Sequence, residues 1–384
     1  MEAYKDSSKS INVRVNDLLK RMTLEEKLAQ LCGNLPFNII RGNKVNIQKL
    51  KEIAKDGLGR ITQFSLVGLI NKTDIVHLSN EIQKFFIEET RLGIPVVFQS
   101  ESLVGYPGKG GTIFPSMMNL AATWNETLAN KMALIIGQEV KSVGISSVMS
   151  PVLDVSRDPR WGRTYETFGE DPYLITQMGI NYIRGIQSNN VSAIAKHFLG
   201  YAETQGGLNL AAERLNSREL YEVFATPFEA AINEADVDGI MGSYSEINGL
   251  PVGANPKIGR KLLRDILGFK GMFTSDGAAI WKMYNYYKIA ASYDEAGLIA
   301  LKAGIDTEIP VGSAFKNLKK YVKNGRLSEK LVDESVKRVL WLKFKRGLFE
   351  HPYVSESNKV YLTDFEKQNL NKKISDESIV LFKE

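Results

Sequence analysis

The 384-residue sequence holds a single cysteine, Cys32, so it has no internal disulfide to draw on. It has only three histidines, His77, His197 and His351, set far apart and without the spacing of a zinc site; no metal and no cofactor is expected. No apolar run approaches membrane-spanning length, and residues 1–10 are polar with no hydrophobic signal core. The expectation is therefore no membrane partner and a cytoplasmic location. The net charge of +5 is spread along the chain, and clusters such as Lys316, Lys319, Lys320 and Lys323 fall on helical patterns as solvated faces. No basic stripe alternates with aromatics, which argues against a nucleic-acid partner. The glycines of residues 105–111, with Lys109, lack the spacing of a phosphate loop, and no glycine-rich dinucleotide fingerprint follows a first strand.

What is present is an ordinary globular composition, 43% hydrophobic and 24% charged, ample for a large core. The length suits one large α/β barrel with extensions, or two smaller domains. From about residue 58 to 310, short β-rich runs alternate with longer amphipathic ones. Strands are predicted at 60–64, 95–99, 147–152, 193–198, 240–244, 272–275 and 305–309, and helices at 74–89, 126–143, 219–233 and 293–303, among others. This alternation predicts a parallel sheet covered by helices, and seven or eight such units predict a closed (β/α)8 barrel of the TIM type over residues 1–349. A long helix is expected at 327–349, then a polar irregular stretch at 350–373, then an apolar segment, Ser378-Ile379-Val380-Leu381-Phe382, that reads as a buried strand with no sheet of its own to join. Residues 350–384 thus read as a linker and the first strand of a second domain that lies outside this chain, or as a strand that pairs with another chain.

Polar and charged residues gather where the predicted strands end: Glu101, Asp154 and Arg163, Lys196 and His197, Tyr244, and Asp276. In a parallel barrel those ends form one rim, where catalytic groups are built. Asp276 ends the run Gly271-Met272-Phe273-Thr274-Ser275; it suits a rigidly held ionised carboxylate for covalent glycosidase chemistry, or else a turn-forming or helix-capping aspartate. Lys196 and His197 suit hydrogen bonding to sugar hydroxyls and holding a carboxylate ionised, with a Schiff-base lysine or a satisfied buried histidine as alternatives. Side chains alternate along a strand, so both can meet one ligand only if the strand is locally broken. Arg163, in Asp158-Pro159-Arg160-Trp161-Gly162-Arg163, suits a planar grip on vicinal hydroxyls, or a brace to Glu166, Glu170 or Asp171. Arg157 and Arg160 read as braces and Trp161 as packing. Glu101, after Phe98-Gln99-Ser100, suits acceptance of two sugar hydroxyls, or the acid of a helix N-terminus.

Taken together, the segments Met22-Thr23-Leu24-Glu25-Glu26-Lys27, Pro151-Val152-Leu153-Asp154, Asp158-Pro159-Arg160-Trp161-Gly162-Arg163, Glu166-Thr167-Phe168-Gly169-Glu170-Asp171-Pro172, Lys196-His197-Phe198, Arg218-Glu219-Leu220, Pro227-Phe228-Glu229, Met241-Gly242-Ser243-Tyr244, Asn248-Gly249 and Ser275-Asp276 resemble glycoside hydrolase family 3, the β-glucosidase and β-xylosidase family. The resemblance implies a (β/α) barrel and a retaining exo-acting β-glycosidase that releases terminal β-D-glucose or β-D-xylose from β-linked oligosaccharides or glycosides. It places the family's nucleophile on Asp276 and its innermost sugar-binding residues on Glu101, Arg163, Lys196, His197 and Tyr244.

Three departures qualify it. Gly277 stands where the family often has tryptophan or tyrosine, and Trp281 or a partner domain is a substitute wall. The loop Leu199-Gly200-Tyr201-Ala202-Glu203-Thr204-Gln205-Gly206-Gly207 lacks the Asp-x-His acid/base of the N-acetylglucosaminidase branch. In the other branches the acid/base glutamate lies in an α/β-sandwich domain, so that partner domain or chain is expected to supply it, with Glu203 as a fallback. Glu101 is one methylene longer than the aspartate common in relatives, which crowds a hydroxymethyl group and leans the substrate towards xylose. The alternative function is a non-catalytic sugar-binding chain or half-enzyme.

Overall fold

The computed structural model describes residues 2–67, 71–355, 363–381 and 383. Seven short strands form one curled parallel sheet in strict chain order: β1 (Gly33–Asn34), β2 (Arg60–Ile61), β3 (Val97–Ser100), β4 (Ser147–Val148), β5 (Ser192–Phe198), β6 (Gly239–Gly242) and β7 (Met272–Thr274). All seven are buried along their whole length. That burial follows from helices covering the sheet, and it is why the strands read as near-continuous apolar runs rather than alternating ones.

The covering helices start where the sequence supplies caps. Asn71, Asn125, Asp171 and Ser292 each accept the backbone N–H three residues on, opening Lys72–Lys84, Glu126–Lys141, Pro172–Gln187 and Tyr293–Ala303. Glu126–Lys141 and Pro172–Gln187 approach so closely that a Cβ on Gly185 would lie 2.5 Å from the Asn130 carbonyl oxygen. A glycine there lets the two backbones meet.

Residues 305–309 hydrogen-bond to both edges of the sheet. Thr307 bridges Thr274 of β7, and Glu308 bridges Cys32, next to β1, both in parallel register. Two buried carboxylates hold this segment. Asp306 accepts from Arg264 (2.7 Å) and the Phe273 N–H (2.9 Å) on one oxygen, and from Ser335 and Arg338 (both 2.8 Å) on the other. Glu308 accepts from Tyr293 (2.6 Å) and the Phe315 N–H (2.8 Å).

The structure revises several expectations. Strand β1 was not foreseen. The strand expected at 60–64 stops at Ile61, because Gln63 turns to φ +57° and a 3-10 turn (Phe64–Val67) follows. The 305–309 run makes bridges rather than a regular strand. Within the stretch read as irregular, Asp364–Glu377 is a helix with a reciprocal Thr363–Glu366 capping box. It lies back on Met117–Ala122 and Glu126–Lys141, with Ile374 wholly buried and Lys367 3.3 Å from Glu139. The segment expected to pair with a second domain or another chain forms no strand over 378–381 within this chain, and Ile379, Val380 and Leu381 are exposed; Phe382 lies outside the described residues.

The Asp306 network predicts a large effect from one change. Asp306→Ala leaves Arg264, Arg338 and a strand N–H without their acceptor, and should lower stability by about 3–5 kcal/mol in urea unfolding. A loss under about 1 kcal/mol contradicts the role given to it.

Candidate active site

The residues expected at the rim do converge there. Glu101 follows β3 directly, Asp154 lies on the loop after β4, and Tyr244 and Asp276 each sit two residues past β6 and β7. Lys196 and His197 lie within β5. The pairing of β5 with β6 shifts register between Ala195 and Phe198, the local break needed for neighbouring side chains to serve one site. Lys196 Nζ then reaches Glu101 Oε2 at 2.6 Å, while His197 Nδ1 meets Asp154 Oδ2 at 2.7 Å and its Nε2 lies 3.7 Å from Asp276 Oδ2.

Asp276 does not cap the helix that follows; Ala279–Asn285 has no side-chain cap. Its Oδ1 accepts the Gly277 N–H at 2.5 Å, and its Oδ2 has no hydrogen-bond partner. Burial pushes the carboxyl above its ordinary value, and Lys196, the Gly277 N–H, Arg163 and Tyr244 pull it back. The side chain keeps 14% of its surface open, so a ligand can reach it. Tyr244 Oη donates to the Gly277 carbonyl at 2.8 Å, and Lys282 Nζ donates to the same oxygen at 3.2 Å. Gly277, the residue after Asp276, is therefore held on both its N–H and its carbonyl.

Arg163 forks onto Glu166, with Nε to Oε1 at 2.8 Å and the terminal nitrogen to Oε2 at 2.7 Å, so it is braced as well as aimed at the site. Its guanidinium lies 5.6 Å from the centre of the Tyr201 ring. Glu101 also accepts from Gln63 at 3.1 Å; partial burial raises its carboxyl, and Lys196, Gln63 and Arg163 together bring it below the ordinary value. Trp161 is packing, 1% exposed, with its ring centre 5.1 Å from that of Tyr201 in an edge-to-face contact. Arg157 is a brace, bound to Glu203 at 2.8 Å and Glu219 at 2.7 Å. That pairing engages both Glu203 oxygens and weakens its standing as a fallback acid/base. Among the described residues, Arg160 pairs with Asp158.

Sequence reasoning gave no role to Asp154, Gln63, Tyr201 or Lys282. Asp154 carried a signal, being an acid just past a strand. Tyr201 packs its ring against His197 (5.0 Å), Trp161 and Tyr244 (5.8 Å) and so forms the wall between them. Nothing in the local pattern marks Gln63, which arrives through its left-handed backbone.

The site is a buried carboxylate in the field of two cations at the carboxyl ends of a curled parallel sheet, where α/β enzymes build their active sites. The profile described as "Glycosyl hydrolase family 3 N terminal domain" matches residues 23–342, and the chain belongs to this family. It is 38% identical to a putative beta-xylosidase of Formosa agariphila over 99% of this chain and 52% of that protein. It is 34% identical to the lysosomal beta glucosidase of Dictyostelium discoideum, over 88% of this chain and 44% of that one. Among solved structures, a b-glucosidase of Erythrobacter marinus superposes with TM-score 0.92 at 30% identity, over 98% of this chain and 51% of that one. The Listeria innocua beta-glucosidase in complex with glucose superposes with TM-score 0.84 at 31% identity, over 95% of this chain and 51% of its own. The chain thus spans about half the length of these relatives.

Burial pushes the Asp154 carboxyl up to about 7 and the His197 imidazole well down. A folded-state pKa above the unfolded one means the folded chain keeps a proton that the unfolded chain loses between about pH 4 and 7, so this group's contribution falls as pH rises. Asp154→Asn should therefore gain stability relative to wild type between pH 4.5 and 7 in urea titrations. Parallel curves for the two proteins contradict this.

Proposed function

We propose that this chain carries the nucleophile half of a retaining β-glycosidase that releases terminal β-D-glucose or β-D-xylose. The observation that carries the reading is Asp276: a largely buried carboxylate with one oxygen unbonded, facing His197 and within the fields of Lys196 and Arg163. Asp276 attacks the anomeric carbon and forms a glycosyl ester. Glu101, Arg163, Lys196, His197 and Tyr244 grip the sugar. With Nδ1–H donating to Asp154, neutral His197 presents Nε2 as an acceptor for a sugar hydroxyl.

The segment 305–309, which bonds to both edges of the sheet, supports an eight-stranded closed barrel. Retaining chemistry also needs an acid about 5–5.5 Å from the nucleophile to protonate the leaving oxygen. Among the described residues, three carboxylates near Asp276 are paired: Glu101 with Lys196, Asp154 with His197 and Glu166 with Arg163. Our reading assigns the acid/base to an α/β-sandwich domain or partner chain, as the family resemblance implies. The half-length match to relatives supports this division.

Activated glycosides separate the two half-reactions. A 2,4-dinitrophenyl β-glycoside needs no acid to depart, so this chain should release a burst of about one equivalent of dinitrophenolate and then turn over slowly. Asp276→Asn should abolish the burst, on the order of 10⁴-fold or more in rate. Full steady turnover of a phenyl or alkyl glycoside by this chain alone contradicts the missing acid.

The burst rate should also fall as pH drops through the raised Asp276 pKa, since only the ionised form attacks. Lys196→Met removes the largest opposing charge and should move that fall to higher pH; an unmoved profile removes Lys196 from the account. Substrate choice rests on Glu101. Glu101→Asp should shift the ratio of xyloside to glucoside rates towards glucose, and an unchanged ratio removes the steric argument.

A further inference from the structure

Two donors converge on one neutral acceptor beside the nucleophile. Tyr244 Oη reaches the Gly277 carbonyl at 2.8 Å, and Lys282 Nζ, from the helix Ala279–Asn285, reaches the same oxygen at 3.2 Å. One residue away, Oδ2 of Asp276 has no donor among the described residues. An ionised carboxylate is the stronger acceptor, because its charge shortens and strengthens a hydrogen bond. The weaker acceptor is thus doubly served while the stronger one is left short.

Tyr244 can serve either. Its hydroxyl lies against Gly277, 3.6 Å from where a Cβ on that residue would stand. It is also close enough to the Asp276 carboxyl for hydrogen bonding to lower the pKa of that acid, after Lys196, the Gly277 N–H and Arg163. Burial first, and then Asp276, push the phenol above its ordinary value, so Tyr244 stays a donor. The residue is held at both ends: its carbonyl accepts from Tyr287 at 2.8 Å, and Lys282 Nζ sits 4.2 Å from the centre of its ring. With the ring held, the O–H changes acceptor by turning about its own C–O bond.

Lys282 decides what that turn costs. A hydroxyl that leaves the Gly277 carbonyl removes a hydrogen bond from a partly buried acceptor, which is unfavourable unless another donor stays. Lys282 already donates to that oxygen. It forms no salt bridge to a carboxylate among the described residues, and Asp276 is the acid whose field it feels. The exchange suits the chemistry of the nucleophile. While Asp276 is a carboxylate it attracts the Tyr244 O–H; as a glycosyl ester it accepts less well, and the O–H goes back to the carbonyl. When the ester breaks and the carboxylate re-forms, the O–H turns to it again.

We propose that Lys282 is a positioning residue for the nucleophile: by holding the Gly277 carbonyl it releases the Tyr244 hydroxyl to donate to the Asp276 carboxylate. Lys282 acts through Tyr244 rather than on the sugar. The inference rests on the β-glycosidase reading of the same site.

The titration of Asp276 tests it, followed by ¹³C NMR on the 384-residue chain with carboxyl-labelled aspartate, the resonance being identified by its loss in Asp276→Asn. The charged and titratable groups that face this carboxyl are Lys196 and His197 from β5, Arg163, Tyr201, Tyr244 and Lys282, and the variants alter only the last two. Tyr244→Phe takes a donor from the ionised carboxylate and should raise the Asp276 midpoint by about 1 pH unit. Lys282→Met should also raise it, because the hydroxyl is then kept on the carbonyl. The double variant decides between a role through Tyr244 and a simple charge effect. Working through the hydroxyl, Lys282 makes the double variant titrate as Lys282→Met alone does; a bare charge effect makes the two shifts add. Lys282→Gln, shorter and uncharged, repeats the cycle should Lys282→Met fail to fold, and Lys282→Arg should titrate as wild type does. A midpoint unmoved by either single change, or shifts that add in the double variant, overturns the inference. The titration needs no substrate, so the two readings fail separately: a wild-type chain without a dinitrophenolate burst overturns the glycosidase reading, whereas additive shifts overturn the role of Lys282 alone.

Discussion

The site depends on a carboxylate kept in a place that disfavours its charge. Asp276 is largely withdrawn from water, with one oxygen satisfied by the next peptide N–H and the other left unbonded. A charge in such surroundings costs free energy unless opposite charges and dipoles are fixed around it, and those act strongly there because the local dielectric is low. Lys196 and Arg163 supply the charge and the Gly277 N–H the dipole. Each cation is tied to a carboxylate of its own, so the ring around Asp276 is held in position before any ligand arrives.

That pre-arrangement traces to the scaffold. Strands buried along their whole length have little freedom to shift, and their carboxyl ends deliver Glu101, Lys196, His197, Tyr244 and Asp276 to one rim. The buried Asp306 and Glu308 fasten the 305–309 segment between the first and last strands, directly behind Ser275 and Asp276. Ser275 N–H donates to the Thr307 carbonyl at 3.0 Å, so the backbone leading into Asp276 is anchored one residue before the carboxylate. The clamp of Tyr244 and Lys282 on the Gly277 carbonyl anchors it one residue after.

Much of this was legible in the sequence because strands buried on both faces leave compact apolar runs, and an acid or base at the end of such a run stands out. Six strands were found that way, and the six proposed site residues were picked out that way or by family resemblance. What escaped had physical causes. Strand β1, Gly33–Asn34, has no apolar side chain to mark it as a buried run. The register shift that lets Lys196 and His197 share a site is set by the neighbouring strand, not by local pattern. Gln63 and Tyr201 enter through loop geometry. The helix Asp364–Glu377 did announce itself in Thr363-x-x-Glu366, but its polar surface and the nearly solitary buried Ile374 gave a weak amphipathic signal. The apolar residues at 378–381 stay exposed in this chain, since hydrophobic residues make a strand only where another strand is there to pair.

The central claim is that Asp276 forms a covalent bond to sugar, and mass spectrometry of the chain after incubation with a 2-deoxy-2-fluoro-β-glycoside bearing a dinitrophenolate leaving group addresses it directly. The account predicts one fluoroglycosyl adduct per chain, located on the peptide containing Asp276 and absent from Asp276→Ala. An unlabelled chain, or an adduct on any other residue, contradicts it.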